Sequence, residues 1–150
     1  MANFIGGRDE SGHRVPMSVA VLNSVASEWP TTSTTPPGVA EILRTSRLLF
    51  VHGYCVYEFF TVGVAWSLLA VETALRTRLQ AGEGARFKEM LKRAESERIL
   101  TPEMADCLDA GRQIRNNFSH PTGQSVWMPS MATSALMTSH AAIAGLFPET

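Results

Sequence analysis

Cysteine is scarce in this chain, with two in 150 residues, Cys55 and Cys107. Two thiols cannot staple a small scaffold, and both sit in apolar, helix-like stretches, so the expectation is a pair of reduced, buried side chains in a reducing compartment. The first ten residues lack a basic segment followed by an apolar one, which predicts a chain that is not secreted and is cytoplasmic. An excess of one charge is missing too: 13 Lys and Arg against 14 Asp and Glu leave a formal net charge of -1. That balance excludes a protein that coats nucleic acid or membrane by bulk electrostatics. The stretch from Arg76 to Arg115 holds nine basic and seven acidic residues and reads as a mixed, solvated surface. Cofactor signatures are absent as well. There is no glycine-rich phosphate loop, no G-x-S-x-G, no H-E-x-x-H and no C-x-x-C. The histidines, His13, His52, His120 and His140, lie too far apart to suggest a metal site. No cofactor and no metal are expected.

What the chain does have is a helical core. With 45% hydrophobic and 18% charged residues it fits one soluble globular domain, long enough to bury roughly 70% of its unfolded surface. Residues 15 to 21 alternate Val15, Met17, Val19 and Val21 with smaller residues, which predicts one extended segment. The run Ser27 to Pro37, with three prolines and a Ser/Thr tract, reads as a linker closing an N-terminal arm over residues 1–37, and the domain proper is placed at 38–150. Helices are expected over 38–53, 54–80, 87–96, 101–119 and 131–147, at most five, giving an all-α up-and-down bundle. Thr101-Pro102-Glu103 is the clearest start: Thr caps, Pro at the first position forfeits no bond, and Glu complements the dipole. The segment from Tyr54 to Val71 is apolar enough to raise a membrane span, but Glu58 within it and the run on into Glu72, Arg76 and Arg78 fit the central helix of a bundle better. Glu58 is expected as a buried acid bonded to a neighbouring helix. Trp66, Trp127, Phe59 and Phe60 are expected as core or dimer contacts and His140 as a packed histidine.

The end of the fourth helix, Ile114-Arg-Asn-Asn-Phe-Ser-His-Pro121, is where chemistry gathers. On a helical wheel Arg115 falls inside the apolar stripe formed by Met104, Cys107, Leu108, Gly111 and Phe118, while Asn116 and Ser119 border it. A guanidinium on a core-facing stripe must find a carboxylate, carbonyls or an anion to offset its desolvation. Glu72, on the preceding long helix, is one candidate partner, although Arg76 lies nearer to Glu72 on its own helix. An uninterrupted helix would set His120 about 140° from Arg115. The two can share a site only if the helix breaks at His120, as Pro121 favours, or if a second subunit supplies one of them.

Arg115-Asn116-Asn117-Phe118-Ser119-His120 resembles the R-x4-6-H motif of HEPN domains (higher eukaryotes and prokaryotes nucleotide-binding), in which a polar residue commonly follows the Arg. Arg8 to His13 and Arg47 to His52 match the same spacing, but the first lies in a glycine-rich tail and the second has an aliphatic interior. The surroundings of the third match extend the resemblance over roughly residues 38–150: Ser67-Leu-Leu-Ala-Val-Glu-Thr-Ala-Leu-Arg76 is similar to the long family helix with an acid followed by Leu-Arg. The short Phe87 to Leu91 helix and the Leu100-Thr-Pro102 restart follow in the family's order. The resemblance implies a metal-independent endoribonuclease acting on RNA, often a dimer with two motifs facing across the interface, and often a toxin or defence component with an antitoxin or regulatory partner. It implies His120 as acid and base, Arg115 as phosphate stabiliser and Asn116 as positioning group, with Glu72, Asn117 and Ser119 in support. The rival expectation is a non-catalytic HEPN-like dimerisation or partner-binding module in which Arg115 is a structural ion pair.

Overall fold

A computed structural model describes residues 7–8, 11–118 and 129–150. Among these residues a minimal antiparallel ribbon, β1 (Gly7–Arg8) and β2 (Arg14–Val15), precedes six helices: α1 (Val19–Ser27), α2 (Pro37–His52), α3 (Glu58–Arg78), α4 (Phe87–Ser96), α5 (Pro102–Phe118) and α6 (Pro129–Leu146). The class is all-α. Four expected helices fall close to their expected bounds because local punctuation sets them. Pro37 opens α2, Gly53 follows its end, and Thr101 Oγ1 accepts the Met104 N–H at 3.2 Å at the head of α5.

Two local expectations are corrected. The alternating stretch is extended only at Arg14–Val15; from Val19 it is the additional helix α1. Ser18 Oγ takes the Val21 N–H at 3.1 Å, and helical rather than alternating spacing turns Leu22 and Ala26 inward, where both are buried. The long helix begins at Glu58 rather than near Tyr54, since Cys55 N–H and Val56 N–H both close turns onto the His52 carbonyl.

α3 is the central element and packs chiefly on α2 and α6. It is long and apolar enough to cross a membrane by length and composition, and nine of its residues are buried against its neighbours. Main chain meets main chain where α2 crosses it. A Cβ on Gly63 would stand 3.2 Å from the Ser46 carbonyl oxygen and 3.3 Å from Phe50 N. Gly63→Val is therefore expected to cost about 1–3 kcal/mol through overpacking, read as a lower urea midpoint; a variant as stable as the parent would show that the two helices can part freely.

Next to this crossing lies an aromatic cluster. Phe50 and Phe60, both fully buried, meet edge to face with centroids 5.5 Å apart, and Trp29 reaches Phe50 at 4.9 Å. Trp29 comes from the stretch read as a linker. That stretch is laid down as a strap: Thr32 Oγ1 and Thr34 Oγ1 donate to the Phe147 carbonyl at 2.7 and 2.6 Å, and Leu22, Ala26 and Trp29 join the same core as α2.

Several side chains lie elsewhere than expected. Cys55, in the turn before α3, and Cys107, on the outer flank of α5, are exposed, because a helical context does not say which face a neighbour covers. Glu58 is exposed too, in the first turn of α3 where its charge suits the helix dipole. Trp66 is 40% exposed and shares an outer stripe with Val62 and Leu69, so it is not a core residue. Phe59 is half-buried. Trp127 lies outside the described residues.

Candidate functional site

The position of Arg115 follows from a close approach one turn earlier. A Cβ on Gly111 would stand 3.3 Å from a methyl group of Leu68, so α5 lies tightly along α3 at that level. Four residues on along each helix, the same alignment brings Arg115 against Glu72. Arg115 Nη1 is 3.6 Å from Glu72 Oε2, and Arg76 Nη2 is 3.3 Å from Glu72 Oε1. Glu72 thus serves both partners that the sequence allowed, one carboxylate oxygen to each.

Arg76 does more than neutralise. It donates to the carbonyls of Gly82 and Ala85, and so fixes the loop that leads into α4. Phe87, the first residue of that helix and buried, lies under Arg115, with the guanidinium carbon 5.8 Å from the ring centroid. A cation over an aromatic face is held by the ring quadrupole. The side chain of Arg115 remains 28% exposed and that of Glu72 25%. The group is neither sealed in the core nor loose on the surface.

Asn116 is exposed beside Arg115 near the end of α5. The side chain of Asn117, and Ser119 and His120 altogether, lie outside the described residues. The structure therefore brings together Arg115 and Glu72 among the expected site residues, and adds Phe87 and Arg76. Phe87 carries no signal in the sequence for this role, since its place beneath Arg115 depends on how α4 is tied to α3. Among the described residues there is no group of three or more His, Cys, Asp and Glu side chains suited to a metal ion.

Chemically, the trio of Glu72 between Arg76 and Arg115 has one carboxylate for two guanidiniums. The surplus positive charge, on an arginine whose side chain stays partly exposed, is a setting in which forked N–H donors can meet a phosphate oxygen. No protein-family model, no curated protein and no solved structure matches this chain.

Proposed function

We propose that this protein is a metal-independent endoribonuclease of HEPN type, working as a homodimer on RNA in the cytoplasm, as a toxin or phage-defence component with a regulatory or antitoxin partner. The observation that carries the reading is the setting of Arg115: a partly exposed guanidinium held by Glu72 and Phe87, five positions before His120 in the motif Arg-Asn-Asn-Phe-Ser-His. The all-α bundle, with the acid on the long helix, supports it. The outer apolar stripe of Val62, Trp66 and Leu69 supports a second copy as partner.

In this reading the 2′-hydroxyl of a ribose attacks the adjacent phosphorus and the bond to the 5′-oxygen of the next nucleotide breaks, leaving a cyclic phosphate and a free 5′-hydroxyl. His120 moves the proton at the attacking or the leaving oxygen, a task suited to an imidazole near neutral pH. Arg115 donates to the phosphoryl oxygens as their charge grows. Asn116 orients the phosphate or the imidazole, and Asn117 and Ser119 support that geometry. The test is cleavage of labelled single-stranded RNA by the parent and by Arg115→Ala and His120→Ala. The parent is expected to cleave and both variants to lose cleavage while remaining folded. Parental cleavage by both variants overturns the assignment.

The Glu72–Arg115 contact itself favours a second reading, a non-catalytic dimerisation or partner-binding module in which that pair ties α3 to α5. There the parent has no cleavage to lose, and removing Arg115 lowers stability alone.

A further inference from the structure

α3 turns one face outward between α2 and α5. Its covered sides are fixed by close contacts: Gly63 meets α2, Leu68 meets Gly111 of α5, and Ser67 meets Ser139 of α6. On the arc that remains, Val62, Trp66 and Leu69 stand 43, 40 and 37% exposed. On a helical wheel Val62, Leu69 and Thr73 all fall within about 60° of Trp66, so the four form one row about three turns long. Thr73 Oγ1 donates to the Leu69 carbonyl at 2.8 Å, so the row can be covered without an unmet donor at that end.

The charges beside the row say what fits it. Glu58 and Arg76 lie on the same flank, each about 80° from Trp66. Glu58 is exposed, and its carboxylate has no ion pair or hydrogen bond among the described residues. Arg76 shares Glu72 with Arg115, so that group lacks a second carboxylate. Along the helix, Ser67 lies midway between Glu58 and Arg76. The midpoints of Trp66 with Leu69 and of Val62 with Thr73 both fall between Ser67 and Leu68. Such a row is complementary to itself when a second copy is turned end for end. The two-fold axis then passes level with Ser67 and Leu68, setting Trp66 on Leu69 of the second copy and Val62 on its Thr73. A two-fold keeps each flank on its own side, so Glu58 comes to the flank where Arg76 of the second copy stands.

We propose that this protein forms a two-fold dimer by antiparallel pairing of α3 with α3 of a second copy, Trp66 packing on Leu69 across the axis and Glu58 pairing with Arg76. An anionic membrane surface suits this face less well, since it would take the apolar row but repel Glu58 at its edge. One exposed helix from each copy is a small contact, so the expected association is micromolar. Both Arg115 groups then open on the same face of the dimer, and Glu58 of each copy brings the carboxylate that the Glu72–Arg76–Arg115 group of the other lacks. The pairing specifies the second copy in the ribonuclease reading and rests on that reading only for the use made of the dimer. Its measurements contain no RNA, so its failure and that of the nuclease are told apart.

Sedimentation equilibrium of the full chain, in lipid-free buffer at tens of micromolar, is expected to give twice the 16.4 kDa of one chain. Trp66→Glu, at an exposed position, is expected to give the mass of one chain with an unchanged far-ultraviolet spectrum. Glu58→Lys is expected to weaken association about ten-fold, because symmetry repeats each lost pair, and the loss is expected to shrink at high salt. Register is read in a Cys55→Ser, Cys107→Ser background. Copies carrying Val62→Cys mixed with copies carrying Thr73→Cys are expected to form a mixed disulfide about ten-fold faster than either kind alone, because like positions lie about 16 Å apart across the axis. A monomer at these concentrations, a dimer that survives Trp66→Glu, parental association of Glu58→Lys, or like-with-like disulfides as fast as the mixed one overturns the proposal.

Discussion

Acidification from pH 7 to about pH 4 is expected to remove on the order of 3 kcal/mol of folding stability through His140 alone. Burial pushes its pKa from 6.5 down to about 4, against the opposing hydrogen bond that its Nδ1–H donates to the Leu136 carbonyl, with the charge of Arg47 adding to the shift. The buried ring stays neutral in the folded protein while the same ring in the unfolded chain takes up a proton near pH 6.5. In that interval the unfolded state holds more protons, so stability rises with pH and is lost as pH falls toward 4, where the folded form begins to protonate as well. Each pH unit between the two values contributes about 1.4 kcal/mol. Ordinary carboxylates titrate near or below the lower end of this window, so comparison with His140→Phe isolates the ring. The variant keeps an aromatic face toward Trp29, whose ring centroid lies 5.1 Å from that of His140. It is expected to show a much flatter stability profile between pH 6.5 and 4 and to be no less stable than the parent at pH 7, because it removes an unpaired buried acceptor. Urea unfolding at a series of pH values measures both. Equal slopes for parent and variant would mean that His140 is charged or hydrated in the folded protein.

Such a histidine was only half readable beforehand. Its place among small residues on the last helix pointed to packing, but its full burial against Trp29 depends on a stretch that composition presented as a linker. Proline and Ser/Thr runs break helices without saying whether the broken chain lies on a surface, and the structure buries Trp29 within this run in the core. Helices whose ends carry their own chemistry were readable: Pro37, the Thr101-Pro102 pair and the glycines before α4 act within a few residues. α1 was not, because Val15 to Val21 satisfies a period of two as easily as the first turn of a helix. The decision fell to the Ser18 cap and to the burial of Leu22. At the candidate site the wheel placed Arg115 on the inward stripe and supplied Glu72 as a partner. It could not supply Phe87, whose place depends on how α4 is tied to α3, nor that one carboxylate would serve two arginines, which depends on the close seating of Gly111 against Leu68.

Removing Arg115 is where the two functional readings separate most widely, and magnitudes decide between them. An ion pair at 3.6 Å with both side chains about a quarter exposed contributes about 1 kcal/mol at most, and the cation over Phe87 contributes about 0.5–1 kcal/mol more. Arg115→Ala is thus expected to lower the melting temperature of a 150-residue chain by only a few degrees, at about 2–4 °C per kcal/mol. Loss of a donor that stabilises the developing charge of a cleavage transition state costs about 10²–10³ in rate. A fall of that size in RNA cleavage, beside a melting shift of a few degrees, cannot come from destabilisation, because nearly all of the variant remains folded at assay temperature. Glu72→Gln sharpens the comparison. It keeps the shape of the side chain and removes its charge, so it is expected to cost what the pairs with Arg115 and Arg76 contribute together, about 2 kcal/mol at most, while Arg115 stays in place to meet phosphate and cleavage stays within about ten-fold of the parent. If the pair is merely structural, the two single variants and the double variant form a cycle whose whole effect lies in stability, with a coupling of about 1 kcal/mol or less and no cleavage in any member. Calorimetry and a labelled-RNA assay on the same four proteins give both readouts, and a parent that cleaves no RNA, or an Arg115→Ala variant that cleaves at the parental rate, removes the nuclease reading.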